Sequence, residues 1–113
     1  MKTNTIMAKI YYYGGISFIF RTNDQVNYLK VIKANVISGH LVSIVFNDGK
    51  VSVIDFKPWL ETHHHECWDY LLDETEFKKN MYIDHGDLVW GKDWDLCFSI
   101  MNYYNADLYG DYD

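Results

Sequence analysis

The sequence is poor in the features that would place it in several common classes. It has one proline, two cysteines and fewer basic than acidic residues, ten against sixteen. Cys67 and Cys97 lack the C-x-x-C spacing of a zinc ribbon or redox pair and are too few for a disulfide scaffold. Reduced thiols in a cytoplasmic protein are therefore the expectation. No apolar run approaches the roughly 18 residues of a membrane span. The opening "MKTNTIMAKIYYYGG" carries a lysine but no apolar core of signal-peptide length before Gly14 and Gly15. A formal charge of −6 opposes the phosphate neutralisation that nucleic-acid binding requires, so direct binding of DNA or RNA is excluded from the reading. With 49% apolar and 18% aromatic residues and no low-complexity run, the chain is also far from disordered composition.

A length of 113 residues fits a single domain, 1–113, with no room for a second core. Met7, followed by Ala8 and Lys9, is an alternative start, so nothing rests on residues 1–6. The first half reads with a period of two. "KIYYY" and "ISFIF" flank Gly14-Gly15, a link whose glycines both accept positive φ, which predicts a Tyr-rich hairpin over residues 1–25. After a polar break at Thr22 to Gln25 come "VNYLKVIKANVI", a Ser38-Gly39 turn, "LVSIVFN", an Asp48-Gly49 turn and "KVSVIDF". Short links demand antiparallel neighbours, so these runs predict a meander of about five strands. In the last of them Val51, Val53 and Asp55 share one face, and Lys50, Ser52, Ile54 and Phe56 the other.

Past Pro58 the period changes. "WLE" and "ECWDYLLDETEFKKN" space Trp68, Leu71, Leu72 and Phe77 as one or two short helices broken near Asp73. Asp73 has the character of a helix cap, with Glu74 and Glu76 following and Lys78 and Lys79 near the end. "MYID" and "DLVW" around His85-Gly86 predict a small hairpin. In "DWDLCFSIMNYYN" the residues Trp94, Cys97, Phe98 and Met101 recur at helical spacing with Asp95 as cap, which predicts a C-terminal helix and an acidic tail over 105–113. The fold class expected is α+β.

"LVSIVFNDGKVSVIDFKPWL" and "FKKNMYIDHGDLVWGKDWDL" resemble the opening and closing signatures of the bacterial domain-of-unknown-function family 2442. The resemblance covers roughly residues 30–104. Phe46, Asp48, Gly49, Asp55, Pro58 and Leu60 carry the first half, and Phe77, Trp90, Asp95 and Leu96 the second. Two departures stand out: His63, His64 and His65 fall between the signatures, and Gly91-Lys92-Asp93-Trp94 replaces the family's usual proline, asparagine and glycine. The resemblance implies a small α+β module without an established activity, found alone, beside toxin–antitoxin-like or mobile-element neighbours, or fused to a helix-turn-helix. No such DNA-reading pair of helices follows residue 104.

Candidate chemistry starts with "THHHEC", residues 62–67. Successive residues point about 100° apart on a helix and to opposite faces on a strand, so His63, His64 and His65 cannot converge on one ion. Only His63 with Cys67, at i and i+4, has chelating spacing, with Cys97, His40 and His85 available in principle. A solvated loop is the reading, with no cofactor and no metal. Asp84 with Asp87, and Asp93 with Asp95, are pairs of the kind used in acid-base or two-metal catalysis. They equally suit a tight turn and a helix cap. No phosphate loop or nucleophile motif accompanies them, so no catalytic residue is assigned. Tyrosine supplies large contact area at small entropic cost, and Tyr11, Tyr12, Tyr13, Tyr103 and Tyr104 are the candidate partner-binding residues. The functional expectation is a non-enzymatic protein-interaction or regulatory module with a protein partner or self-association. The alternatives are a small metal-binding protein or metal-dependent hydrolase, and an acidic inhibitor that mimics nucleic acid.

Overall fold

The computed structural model describes residues 21–22, 25–26 and 28–112. The chain forms two compact units, of which Lys30–Gly110 is one. In the other, the described regular structure is a short antiparallel ladder, β1 (Arg21–Thr22) with β2 (Gln25–Val26), folding back at the predicted polar break. The hairpin expected before it, with Tyr11, Tyr12 and Tyr13, lies outside the described residues.

Lys30–Gly110 opens with an antiparallel sheet of β3 (Val31–Ser38), β4 (Leu41–Phe46) and β5 (Val51–Asp55), in that order. The strand predicted from residue 26 thus begins later, at Val31. Gly39 and Gly49 take φ of 56° and 94° in the two turns, and the Asp48 carboxylate accepts the Lys50 N–H at 2.9 Å, as a short polar turn residue is suited to do. Alternation sends Val42, Ile44 and Phe46 inward from β4 and Ser52 and Ile54 inward from β5. Val51 and Val53 face outward and are about half exposed.

Asp55 accepts the Lys57 N–H at 3.0 Å, and α1 (Lys57–Thr62) follows with Pro58 in its first turn, where a missing N–H is harmless. A 3-10 turn, Asp69–Leu72, buries Leu71. The predicted break then occurs: Asp73 caps α2 (Glu74–Asn80), accepting the Thr75 and Glu76 N–H groups at 2.9 and 3.0 Å. Acids begin α2 and Lys78 and Lys79 end it, while Phe77 enters the core.

The second sheet joins β6 (Met81–Asp84), β7 (Asp87–Trp90) and β8 (Leu96–Cys97). Here the structure corrects the expected C-terminal helix. Leu96 and Cys97 pair with Trp90 and Val89 as strand residues, and Trp94 has φ of 55°, a left-handed value no α-helix accommodates. The helix, α3, spans only Ile100–Tyr104 and is capped by Ser99, whose hydroxyl accepts the Met101 N–H. Within Lys30–Gly110 the layout is therefore two three-stranded antiparallel sheets with three short helices, an α+β fold; β3, β4 and β5 are the last three strands of the expected meander, whose first two lie outside the described residues, and the expected small hairpin gains β8 as a third strand.

Phe56 centres the core, its ring 4.9 Å from Trp90, 5.7 Å from Phe77 and 6.3 Å from Tyr103. The Tyr103 hydroxyl donates to the Leu88 carbonyl at 2.6 Å and accepts the Phe98 N–H at 3.0 Å. It thereby occupies the place of the next ladder pair after Val89 and Cys97, where β8 leaves the sheet. The end is not a loose tail as far as Gly110. Asn102 donates to the carbonyls of Asp107 and Gly110 at 2.9 and 2.8 Å, and Leu108 is buried. No described helix is long and apolar enough to cross a membrane.

Candidate functional site

The second sheet presents an aromatic surface around the turn that links β7 to β8. Cross-strand partners share a face, so the register puts Tyr82, Val89 and Cys97 together, with Asp84 and Asp87 further along the same face. The opposite face carries Leu88, Trp90 and Leu96 into the core, and Val89 on the first face is fully buried too, so that face is exposed only at its margins. Gly91, at φ 90°, starts the turn, and its carbonyl accepts the Trp94 N–H at 3.1 Å. A Cβ at Gly91 would run into the Asp95 carboxylate and come within 2.8 Å of the Tyr70 hydroxyl. Only glycine allows that closeness.

Three aromatic side chains surround this turn with their polar ends tied down. The Trp94 indole N–H donates to Asp84 at 2.9 Å, the Tyr82 hydroxyl to the Gly91 carbonyl at 3.0 Å, and the Tyr70 hydroxyl to Asp95 at 2.5 Å. Each nevertheless stays 37–42% exposed. A tryptophan in the left-handed region is strained by the contact of its Cβ with the backbone, and such strain persists only where surrounding contacts hold it. Here the Asp84 bond and the turn hydrogen bond do so.

The acids on this face have distinct environments. Asp84 accepts from both Trp94 and the His85 ring, the latter at 2.6 Å. The Asp87 carboxyl is pushed up by burial and by the neighbouring Asp84, with His85 pulling the other way. The Cys97 thiol, exposed at its surface but partly desolvated by its neighbours, is raised to about 11 by that desolvation first and by Asp87 second, against a hydrogen bond from Tyr103. Protonated at neutral pH, it is a poor nucleophile and a poor metal ligand. Tyr70 is raised to about 12 by burial and by Asp95, which keeps its hydroxyl a donor.

Comparison with protein-family models, with curated proteins and with solved structures finds no match to this chain.

The sequence candidates are dispersed. His63, His64 and His65 each turn Nδ1 to a local partner: the Trp59 carbonyl, the Asp69 carboxylate and the Cys67 N–H. His63 also stacks on Trp59 with ring centres 4.4 Å apart. Among the described residues, no three or more histidine, cysteine, aspartate or glutamate side chains gather as a metal site. His40 is buried against Phe77, one ring nitrogen bonded to the Leu71 carbonyl at 2.8 Å. Asp95 accepts from Tyr70 and does not cap a helix. Tyr103 is fully buried. Tyr104 is half-buried, donating to Asp48 at 2.7 Å and lying under the Lys50 ammonium. Sequence reasoning missed Trp94, Tyr82 and Tyr70 as a group, because the helical period drew Trp94 into a helix. The Gly-Lys-Asp-Trp-Asp run, with glycine and two aspartates, was the available turn signal.

Proposed function

We propose that this chain is a non-enzymatic protein-interaction or regulatory module whose docking anchor is the Tyr70, Tyr82 and Trp94 surface. One observation carries the reading: three exposed rings are held by intramolecular hydrogen bonds around a strained turn. Rings fixed before a partner arrives lose little side-chain entropy on binding, and tyrosine and tryptophan dominate the energetics of protein interfaces for that reason. One carboxylate of each candidate pair, Asp84 and Asp95, is engaged in this scaffold by Trp94 and Tyr70. Kinship with the domain-of-unknown-function family 2442 belongs to the same proposal. It is supported by an Asp48-Gly49 turn between two strands, Asp55 at the end of the second, and Pro58 opening a helix.

The test is affinity capture with the full chain in its native cells, in parallel with Trp94→Ala. The expected result is a stoichiometric companion that is lost with the variant while circular dichroism stays unchanged. A chain that is monomeric and has no stoichiometric companion, or a companion indifferent to Trp94, refutes the reading.

A further inference from the structure

One edge of the first sheet is left without a neighbour. Among the described strands β3 pairs only with β4. The Phe46 N–H donates to the Lys50 carbonyl and the Phe56 N–H to the His40 carbonyl, both on the β5 side of β4. Alternation then turns the backbone groups of Ser43 and Val45 towards β3. Their partners Asn35 and Lys33 complete the ladder, and the N–H and C=O groups of Ala34 and Val36 point away from it. Val31, outward in the same sense, donates its N–H to the Gly86 carbonyl at 2.8 Å. Among the described residues Ala34 and Val36 have no such bond. Edges of this kind are usually blunted by charges, by proline or by a covering element. In β3 the only charged residue is Lys33, and Ile37 is 55% exposed.

This edge borders a groove of about 600 Å³, with Val36 and Ile37 on one wall and Glu74, Lys78 and Lys79 of α2 on the other. The volume is that of a ligand pocket, but the strand wall selects a particular kind of occupant. Its outward backbone groups recur every second residue, roughly 7 Å apart, which is the repeat of another extended chain. The helix wall supplies charge. Among the described residues Lys78 has no carboxylate within ion-pairing distance, and Lys79 reaches only Glu76, at 3.9 Å with both side chains exposed. Glu74 stands at the Gly39 end of the groove. In a chain of net charge −6, the two lysines make a local basic wall that favours anionic side chains. We propose that the groove between β3 and α2 receives an extended, acidic segment of a partner protein as an added strand on β3. Main-chain bonds to Ala34 and Val36 supply affinity, while Ile37 and the two lysines select the side chains. The inference extends the protein-interaction reading to a second contact and makes no use of the Tyr70, Tyr82 and Trp94 anchor.

The probe is a blocked peptide, acetyl-Val-Glu-Val-Glu-Val-Glu-Val-amide, titrated into the isotope-labelled full chain and followed through the backbone amide resonances. Movement of the Ala34 and Val36 amides is expected. A peptide with lysine in place of glutamate should bind more weakly, and one N-methylated at every residue, which cannot donate to a strand edge, should be silent. Lys78→Gln combined with Lys79→Gln, both at exposed positions, should weaken binding of the glutamate peptide about tenfold, roughly threefold for each exposed ion pair. Stillness at Ala34 and Val36, an undiminished response to the lysine or N-methylated peptide, or indifference to the double variant overturns the assignment. Movement of the same amides with protein concentration alone gives the edge to a second copy and overturns it equally. The two readings fail separately. A companion lost with Trp94→Ala while the peptide is silent removes the groove and keeps the aromatic anchor. A peptide bound at Ala34 and Val36, beside a companion indifferent to Trp94, removes the anchor and keeps the groove.

Discussion

Replacing Tyr103 with phenylalanine removes one hydroxyl from a ring that is otherwise buried to completion. That hydroxyl satisfies two backbone groups at once, the Leu88 carbonyl at 2.6 Å and the Phe98 N–H at 3.0 Å. A phenylalanine ring still fills the space among Phe56 and Phe98, so the change reports hydrogen bonding and not packing. Leaving a buried donor or acceptor unmet costs about 1–3 kcal/mol each. Partial closure of β8 towards β7 would recover some of this, so the expected loss is about 2–3 kcal/mol. For a domain with roughly 5–15 kcal/mol of stability this is a large fraction. Urea denaturation should show a lower midpoint with an unchanged slope, because the area exposed on unfolding stays the same. The Phe98 amide should also exchange with solvent faster in the native state. A loss below about 0.5 kcal/mol, the scatter typical of surface substitutions, together with unchanged exchange at Phe98, would refute the claim that the hydroxyl stands in for a ladder pair.

Further expectations test other parts of the structure. Asp73→Ala frees the Thr75 and Glu76 N–H groups and should cost about 1 kcal/mol by denaturant titration; a neutral result would show that α2 is set by Phe77 burial alone. Gly91→Ala places a methyl group against Asp95 and Tyr70 at a φ of 90° and should cost about 2 kcal/mol or more. A fully stable variant contradicts the turn geometry. In a Cys67→Ser background, iodoacetamide alkylation of Cys97 should still rise about tenfold per pH unit between pH 8 and 10, since its thiol titrates at about 11. A plateau near pH 9 refutes the claim that partial desolvation and Asp87 hold the thiol neutral. Because the fold favours the neutral thiol, its contribution to stability is complete below the ordinary thiol range and is lost as pH climbs towards 11.

What the sequence made legible was whatever depends on neighbours in the chain. Asp48-Gly49, the Asp73 cap and the alternation of Val51 to Phe56 are decided within a few residues, and each appears where the pattern put it. The region after Trp90 resisted because a three-dimensional contact overrode the period. Trp94 and Cys97 repeat at helical spacing, yet Gly91 turns the chain and β7 claims Leu96 and Cys97 as an edge strand. Once Trp94 is left-handed, the i, i+3 relation no longer describes one face. The aromatic site was illegible for the same reason: Tyr70, Tyr82 and Trp94 come from three elements and meet only through bonds to Asp95, Gly91 and Asp84. Of the tyrosines singled out from composition, Tyr103 is drawn into the core by the Leu88 carbonyl, and the half-buried Tyr104 is tied to the Asp48 turn at the surface.

The carbonyl of Tyr104 is held by both the Lys50 ammonium and the Ser52 hydroxyl, 54 and 52 residues earlier. This has a consequence for biosynthesis. At synthesis rates of about 5–20 residues per second, β5 waits roughly 3–10 seconds after leaving the ribosome for the residue that completes its inner side. During that interval Phe46, which Tyr104 later contacts at 5.0 Å between ring centres, is uncovered. A ribosome stalled between these two positions would present a half-built sheet to chaperones and to aggregation.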